Sequence, residues 1–234
     1  MCVVALALNQ HPDWPILLVG NRDEFHARAS APLHRWDDGS GIIAGRDEVG
    51  GGTWLGVQPE HGASVVVTNV RGSGGPDPAK RSRGRLVCDV LTGTGDHAAP
   101  HLAQIDDFNG FSLIAVQQRH AQLITNRPAP AMAPLTPGIH ALANEAVGTI
   151  CPRAARLAGA IQRWTASGEA PTALLDMLQD EGEPALFLRN AAYGTRCSTL
   201  VAVGANGAGT IVERRYGKGG QPCGETALAF GLKS

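Results

Sequence analysis

Residues 1–25 have the sequence MCVVALALNQHPDWPILLVGNRDEF, and no other stretch says more about the fold. Two aliphatic runs, residues 3–8 and 16–20, flank the turn-forming segment His11–Pro15. Short runs of β-branched and aliphatic residues between turn residues are typical of strands. The stretch therefore predicts two adjacent strands joined by a turn. It also predicts that Asn21–Phe25 form a solvent-accessible turn at the end of the second strand.

The rest of the chain shows the same alternation of short apolar runs and turn residues. Further strands are predicted at 41–44, 53–57, 64–68, 111–116, 123–125, 139–143, 198–203 and 210–214, and helices after residue 80 and at 151–164 and 172–179. The dipeptide Asn206-Gly207 predicts a hairpin. Strands at both ends, helices between them and antiparallel hairpins predict an α+β fold, with two sheets sandwiched between helices. With 234 residues and no shift in composition, we expect one domain, 1–234.

The overall charge excludes several classes of partner. The formal net charge is −1 and the pI is about 6.7, which gives no global attraction to nucleic acid or an anionic membrane surface. No apolar run reaches the ~18 residues of a membrane-spanning helix, and the first residues lack a basic targeting region. We therefore expect a cytoplasmic protein with no nucleic-acid partner and no integral membrane segment.

The cysteines and histidines give little support to a disulfide framework or a metal site. The five cysteines are odd in number, widely spaced and form no CxxC pair. Cys88 is expected to be a small buried side chain on a helical face. His97 and His101 are separated by Pro100, which favours a loop over a shared metal-binding helix face. We predict no metal ligands.

Cys2 has two interpretations. In the first, it is a small apolar residue at the start of an edge strand. In the second, Met1 is excised, as is normal before a small residue, and Cys2 then carries both a thiol and an α-amine. An α-amine has an unperturbed pKa of about 7.7–8.0, so it can accept the thiol proton without a histidine base.

Several motifs occur in an order that resembles one known family. They are Cys2, Asn21–Glu24 (NRDE), 51–56 (GGTWLG), Thr68-Asn69, 142–144 (LAN) and 193–196 (YGTR). Together they resemble the NRDE family, also called the transport and Golgi organization 2 family, over nearly the whole chain. The resemblance implies a four-layer αββα N-terminal-nucleophile hydrolase-like sandwich with antiparallel sheets, similar to the choloylglycine hydrolase and penicillin V acylase group.

The resemblance also implies roles for individual residues. Cys2 matches the nucleophile, Asp23 matches the carboxylate that orients its amine, and Asn69 and Asn144 match contacts to the oxyanion or the substrate amide. One departure lies just before the aspartate. Hydrolases of that group carry an arginine there, whereas this chain has Gly20 and Asn21, so Arg22 and Arg196 are the candidates to replace it. Arg196 is also a candidate to bind a carboxylate.

A second set of residues is expected to bind a ligand. The family is implicated in lipid and acyl-CoA homeostasis and in haem handling. A basic cluster at an expected helix start contains Lys80, Arg81, Arg83 and Arg85. It is suited to a CoA phosphate or a haem propionate, and the alternative is a solvated loop rich in arginine. Trp54 is either an aromatic wall beside Gly50–Gly52 or a core residue. Asn21 and Glu24 are either ligand contacts or solvated turn residues.

Three functions remain open from the sequence. The first is a cysteine amidohydrolase that acts on a C–N bond of a small or acyl-bearing substrate such as an acyl amide. The second is a non-catalytic carrier of acyl-CoA, lipid or haem, in which Cys2 is a soft contact. The third is an interaction module with an inert pocket. No cofactor is required by any of them, and haem enters as a candidate ligand.

Overall fold

The structure, a computed structural model, describes residues 2–72 and 75–233. Three α-helices lie within this part of the chain: α1 (Arg83–Thr92), α2 (Pro152–Thr165) and α3 (Ala173–Met177). The strands of the same residues are β1 (Cys2–Leu8), β2 (Ile16–Phe25), β3 (Ser30–Arg35), β4 (Ile43–Asp47), β5 (Leu55–Gln58), β6 (Ala63–Asn69), β7 (Phe111–Gln117), β8 (His120–Thr125), β9 (Ala131–Leu135), β10 (Gly138–Leu142), β11 (Tyr193–Val203), β12 (Ala208–Tyr216) and β13 (Pro222–Gly231).

The chain divides into two compact units. The first comprises Met1–Ala29, Thr136–Ala143 and Cys151–Gly231, and the second comprises Ser30–Leu135, Asn144–Ile150 and Leu232–Ser234. Each unit contains one antiparallel sheet. Its strands are joined largely by short turns, which suits antiparallel pairing.

The first unit is built on a six-stranded sheet in the order β10-β1-β2-β11-β12-β13. Helices α2 and α3 pack on one face of it. Alternate residues of β1, beginning at Val3, point toward α2 because successive side chains of a strand face opposite sides. They pack there against Leu157, Ile161 and Trp164. The opposite face of β1 is buried as well, which explains why its sequence is apolar throughout rather than alternating.

The second strand is longer than the sequence predicts. The expected turn at Asn21–Phe25 is wrong, because β2 continues to Phe25 and pairs with β11 along this stretch. Asn21 and Asp23 are buried, with 0% and 3% of their surfaces exposed. Strand β11 forms hydrogen bonds with the backbone N–H and C=O groups of these polar residues. A charged sequence therefore forms a strand here despite its low strand propensity.

The second unit is built on a seven-stranded sheet in the order β3-β4-β5-β6-β7-β8-β9. Helix α1 packs against β5 and β6 through Leu86, Val87 and Leu91. The helix approaches the glycine run before β5 very closely. A Cβ atom on Gly52 would lie 2.2 Å from the backbone of Gly84, so only glycine fits at residue 52.

Most of the strand and helix predictions are confirmed within one to five residues at their ends. The α+β class and the two antiparallel sheets are confirmed. Three strands that the sequence did not predict, β3, β9 and β13, are sheet-edge strands that contain Pro32, Pro134 and Pro222. Proline is tolerated at edges because no neighbour needs its missing N–H. The single domain 1–234 and the stacking of the sheets into four layers stay predictions.

None of the helices in the described part of the chain is both long enough and apolar enough to cross a bilayer.

Candidate functional site

The site is centred on Cys2, the first residue of β1. Cys2 pairs directly with Arg22 of β2, and Arg22 also pairs with Cys197 of β11. Directly paired residues of an antiparallel sheet lie on the same face, so Cys2, Arg22 and Cys197 form a row across three strands. Asp23, the next residue of β2, faces the other side of the sheet.

The environment of the Cys2 thiol contains opposing influences. Burial raises the pKa of the thiol, and the negative charge of Asp23 raises it further. The positive charge of Arg22 and a hydrogen bond from the Asp23 backbone lower the pKa. A thiolate at Cys2 therefore depends on positive charge beside it.

Asp23 is a buried carboxylate with fixed partners on helix α2 and strand β11. Its Oδ1 accepts a hydrogen bond of 2.7 Å from the Thr195 hydroxyl, and its Oδ2 lies 2.6 Å from Nη1 of Arg153. The Thr195 hydroxyl also accepts a hydrogen bond from the Leu188 N–H, at 2.9 Å, so its proton points to Asp23. Burial raises the pKa of Asp23, whereas Arg153 and Thr195 lower it.

Arg153 is a functional candidate that the motifs of the sequence do not include. It is the second residue of α2, and its side chain is 13% exposed. Its Nε donates to the carbonyl of Ala185 at 2.9 Å and its Nη2 to the carbonyl of Leu186 at 2.7 Å, while Nη1 contacts Asp23. The only sequence signal was a basic residue in the first turn of a helix, where an acidic residue is normal.

The two arginines expected to accompany Asp23 lie elsewhere. Arg22 forms an ion pair with Glu24 at 3.6 Å, and Glu24 also lies 3.9 Å from Arg28. Arg196 occupies a bulge between Thr195 and Cys197 and donates to the carbonyls of Phe25, His26 and Arg28. A bulge redirects a side chain, and here it turns Arg196 to the loop after β2. The structure thus places Arg196 against this loop, and the guanidinium that contacts Asp23 is that of Arg153.

Residue 20 has no room for the arginine that hydrolases of the resembled group carry before the aspartate. A Cβ atom on Gly20 would lie 2.4 Å from the carbonyl oxygen of Val3 in the neighbouring strand. No side chain fits there while β1 and β2 keep this pairing. The guanidinium group reaches Asp23 from helix α2 instead.

Asn21 has its amide group fully engaged by the protein. Its Nδ2 donates to the carbonyls of Leu178 and Leu186, at 2.9 and 2.8 Å, and its Oδ1 accepts from Ser198 at 2.6 Å. These bonds tie β2 to the segment after α3 and to β11. Both Nδ2 protons are thus used within the protein, and one of these bonds goes to the Leu186 carbonyl that also binds Arg153.

Three further predicted residues lie in the second unit. Asn144 is buried, and its Nδ2 donates to the backbone carbonyl of Asn69 at 2.6 Å, while the Asn69 side chain is exposed at the end of β6. The structure thus brings Asn69 and Asn144 together. Trp54 is half-buried and precedes β5, where its carbonyl accepts a hydrogen bond from Val67. The close approach to the glycine run is made by Gly84 of α1.

The basic cluster also lies in the second unit, at the start of α1. Arg81 is exposed and pairs with Asp96 at 2.9 Å, and Arg83 donates to the carbonyl of Gly110 at 3.1 Å. Arg85 is exposed, and its guanidinium lies against Gly51. The first turn of α1 contains no acidic residue. The cluster thus lies at the helix start that the sequence predicts, and the charge of Arg81 is compensated by Asp96.

The other thiols and the histidine candidate differ from Cys2 in burial or in position. Burial raises the pKa of Cys88 to about 11 and raises that of Cys197 still further, whereas Cys223 is exposed. His97 lies 3.5 Å from Asp89 in the second unit. The described residues contain no group of three or more His, Cys, Asp or Glu side chains arranged to hold a metal ion.

Comparison with known proteins defines first the class and then the family. The fold is similar to a solved structure described as the Caenorhabditis elegans N-acylethanolamine-hydrolyzing acid amidase (NAAA) ortholog, with a TM-score of 0.52 and 14% identity over 85% of this chain and 92% of that one. The chain therefore has an α+β fold similar to that of this amidase ortholog. At this identity the likeness concerns the fold alone.

The family is established by sequence. The profile of the family Transport and Golgi organisation 2 matches residues 1–218, so the chain belongs to this family. Transport and Golgi organization protein 2 homolog of Homo sapiens is 30% identical, with 92% of each chain covered. The homolog of Mus musculus is 29% identical with the same coverage. The predicted family is confirmed.

Proposed function

We propose that this protein is a cysteine amidohydrolase in which Cys2, freed by removal of Met1, attacks the carbonyl of a small or acyl-bearing amide. One observation carries the proposal. Cys2 opens β1 directly opposite Arg22, and the adjacent carboxylate of Asp23 is buried and held by Thr195 and Arg153. A buried carboxylate oriented from two sides beside the start of a chain is suited to hold an α-ammonium group.

The chemistry proceeds by acyl transfer to sulfur. The α-amine of Cys2 takes the thiol proton, and the sulfur bonds to the carbonyl carbon of the substrate. The ammonium then gives that proton to the leaving nitrogen as the C–N bond breaks, which leaves a thioester. Water attacks the thioester and passes a proton to the amine. The C–S bond breaks, the thiol is restored and a carboxylic acid is released.

Charge placement in the first unit supports these steps. Arg22 shares a face with Cys2, where a positive charge favours the thiolate and any anionic intermediate. Asp23 lies on the other face and favours the ammonium form of the amine. The two charged forms that the first step creates are thus each matched by an opposite charge. The oxyanion role of Asn69 and Asn144 stays a prediction.

The test compares wild type with Cys2→Ser and Cys2→Ala. Serine and alanine are both small, so removal of Met1 is the same in all three proteins. Turnover of a panel of acyl amides that includes N-acylethanolamines, the substrates named for the structural neighbour, is measured by mass spectrometry. We expect wild type to be active and Cys2→Ala to lose at least about 10³-fold in rate. Equal activity in wild type and Cys2→Ala would exclude Cys2 as the nucleophile.

A thiol-labelling control links activity to the free amine. Iodoacetamide is applied in a Cys223→Ser background, because Cys223 is the exposed thiol. Cys2 should react before the three remaining cysteines, Cys88, Cys151 and Cys197. Burial raises the pKa values of Cys88 and Cys197. Insertion of glutamate between Met1 and Cys2 blocks removal of Met1, and we expect this variant to lose the fast labelling.

A second candidate function is a carrier of acyl-CoA, lipid or haem without catalysis. The observation that favours it is the burial of Cys2, which raises the pKa of the thiol and so favours a protonated sulfur. The basic cluster of Arg81, Arg83 and Arg85 supplies positive charge for an anionic ligand. If wild type hydrolyses no amide yet binds haem or acyl-CoA, and reversal of these three charges weakens binding in a salt-dependent way, the carrier replaces the hydrolase.

A further inference from the structure

The unusual feature of helix α2 is an arginine in its first turn that points to a buried carboxylate. Arg153 is the second residue of the helix, and the first turn has no acidic residue. A positive charge at a helix N-terminus opposes the helix dipole, so this position is unfavourable for arginine unless a strong partner lies nearby. The partner is Asp23, whose side chain is 0% exposed.

The guanidinium of Arg153 is held in one orientation. Each of its three nitrogens contacts a different acceptor: the carbonyls of Ala185 and Leu186, and Asp23 Oδ2. The planar fork of arginine fits this arrangement, whereas a lysine ammonium is a single point charge and reaches one or two of these acceptors. The contact to Asp23 is thus fixed in direction as well as in charge.

The backbone around Leu186 also links Arg153 to Asn21, which lies two residues before Asp23 in β2. The carbonyl of Leu186 accepts from Arg153 at 2.7 Å and from Asn21 at 2.8 Å. Asn21 in turn accepts from Ser198 of β11. Asp23 therefore lies within one hydrogen-bonded network that includes the start of α2, the segment around Leu186 and strand β11.

We propose that Arg153 is a positioning residue, which keeps the Asp23 carboxylate ionised and directed at the amine of the processed Cys2. This role rests on the proposed amidohydrolase function. A carboxylate as buried as Asp23 takes up a proton unless a cation compensates it, and a protonated Asp23 no longer stabilises the ammonium of the nucleophile. Burial raises the pKa of Asp23 and Arg153 is the largest opposing influence, in agreement with the geometry.

The experiment measures the pH profile of Cys2 alkylation in the processed chain, in the Cys223→Ser background. The variants are Arg153→Met, Arg153→Lys and the control Arg156→Met. Arg156 lies on the same helix and binds the exposed Asp180 and the carbonyl of Pro184, so it controls for the loss of a helix arginine that holds the same segment. Two effects oppose each other in Arg153→Met: loss of the Asp23 charge by itself favours the thiolate, whereas loss of the Cys2 ammonium disfavours it. Because the ammonium is on the same residue as the sulfur, we expect its loss to dominate and Cys2 alkylation to slow about tenfold at pH 7, equivalent to one unit of pKa. Arg153→Lys should recover part of the rate and Arg156→Met should match wild type.

Asp23→Asn separates positioning from general damage. If Arg153 acts through Asp23, then Arg153→Met should have little further effect on alkylation in the Asp23→Asn background. Two results would overturn the role of Arg153 and leave the hydrolase proposal intact. One is that the effects of Arg153→Met and Asp23→Asn on alkylation are additive. The other is that Cys2 of wild type is alkylated rapidly and Arg153→Met has the same pH profile. If Cys2 of the wild-type protein is alkylated no faster than Cys88, both this role and the proposed hydrolase function are wrong.

Discussion

Loss of Asp23 should destabilise the protein more than loss of its partner Arg153. In Asp23→Ala the guanidinium of Arg153 remains, 13% exposed and unable to lose its proton. Removing one partner of a buried ion pair costs about 3–5 kcal/mol. Arg153 keeps its bonds to two backbone carbonyls in this variant. We therefore expect a value at the lower end of this range, a fall of about 3 kcal/mol in the free energy of unfolding.

The reverse variant, Arg153→Met, leaves a group that can neutralise itself. Asp23 can bind a proton and keep its hydrogen bond with Thr195. The free energy of unfolding then falls only by the value of the lost hydrogen bonds to a charged group, about 2 kcal/mol. The surface control Arg156→Met should cost at most about 1 kcal/mol, because its partner is exposed.

The pH dependence of Arg153→Met has a definite sign. Burial raises the pKa of Asp23, and removal of Arg153 removes the main opposing charge, so the pKa rises further. The folded carboxyl then binds its proton more tightly than the unfolded one. The contribution of Asp23 to stability is therefore highest below the ordinary pKa of aspartate, about 3.9, and falls as pH rises through the raised value. Over this window Arg153→Met should lose more stability than wild type.

Urea unfolding at several pH values from 4 to 8 measures all three variants. Midpoints give the changes in free energy, provided that the slope with urea is unchanged. The reasoning is refuted if Arg153→Met costs as much as or more than Asp23→Ala at pH 5. It is refuted equally if the stability of Arg153→Met relative to wild type increases with pH over the window described.

Two more predictions concern the start of the chain and the glycine run. Intact-mass measurement of protein from its native host should show that Met1 is absent; quantitative retention of Met1 would contradict the free-amine mechanism. Gly52→Ala should lower the free energy of unfolding by about 3 kcal/mol, because its Cβ would lie 2.2 Å from the Gly84 backbone. The matched change Gly72→Ala meets no atom within 4 Å and should stay within about 0.5 kcal/mol of wild type, so equal melting temperatures would refute this account.

Much of the fold follows from local sequence patterns. Apolar runs between turn residues identify β1, the start of β2 and the hairpin at Asn206-Gly207, because strand and turn preferences depend on neighbouring residues. In the edge strands β3, β9 and β13 a proline interrupts that pattern. Their prolines and polar residues are acceptable only where a strand lacks a second neighbour, and the position of a strand in a sheet is not a local property.

The candidate site divides in the same way. The family, the nucleophile candidate Cys2 and the carboxylate candidate Asp23 could all be identified from sequence, since they belong to short motifs of fixed order. Three features emerged only from the folded chain: Asp23 is buried in β2, Arg196 turns away through a bulge, and Arg153 is the paired cation. The physical reason is that the partner of a charge depends on which helix packs beside its strand. Packing of this kind brings together residues that are far apart in the chain, and no periodicity or spacing in the sequence records it.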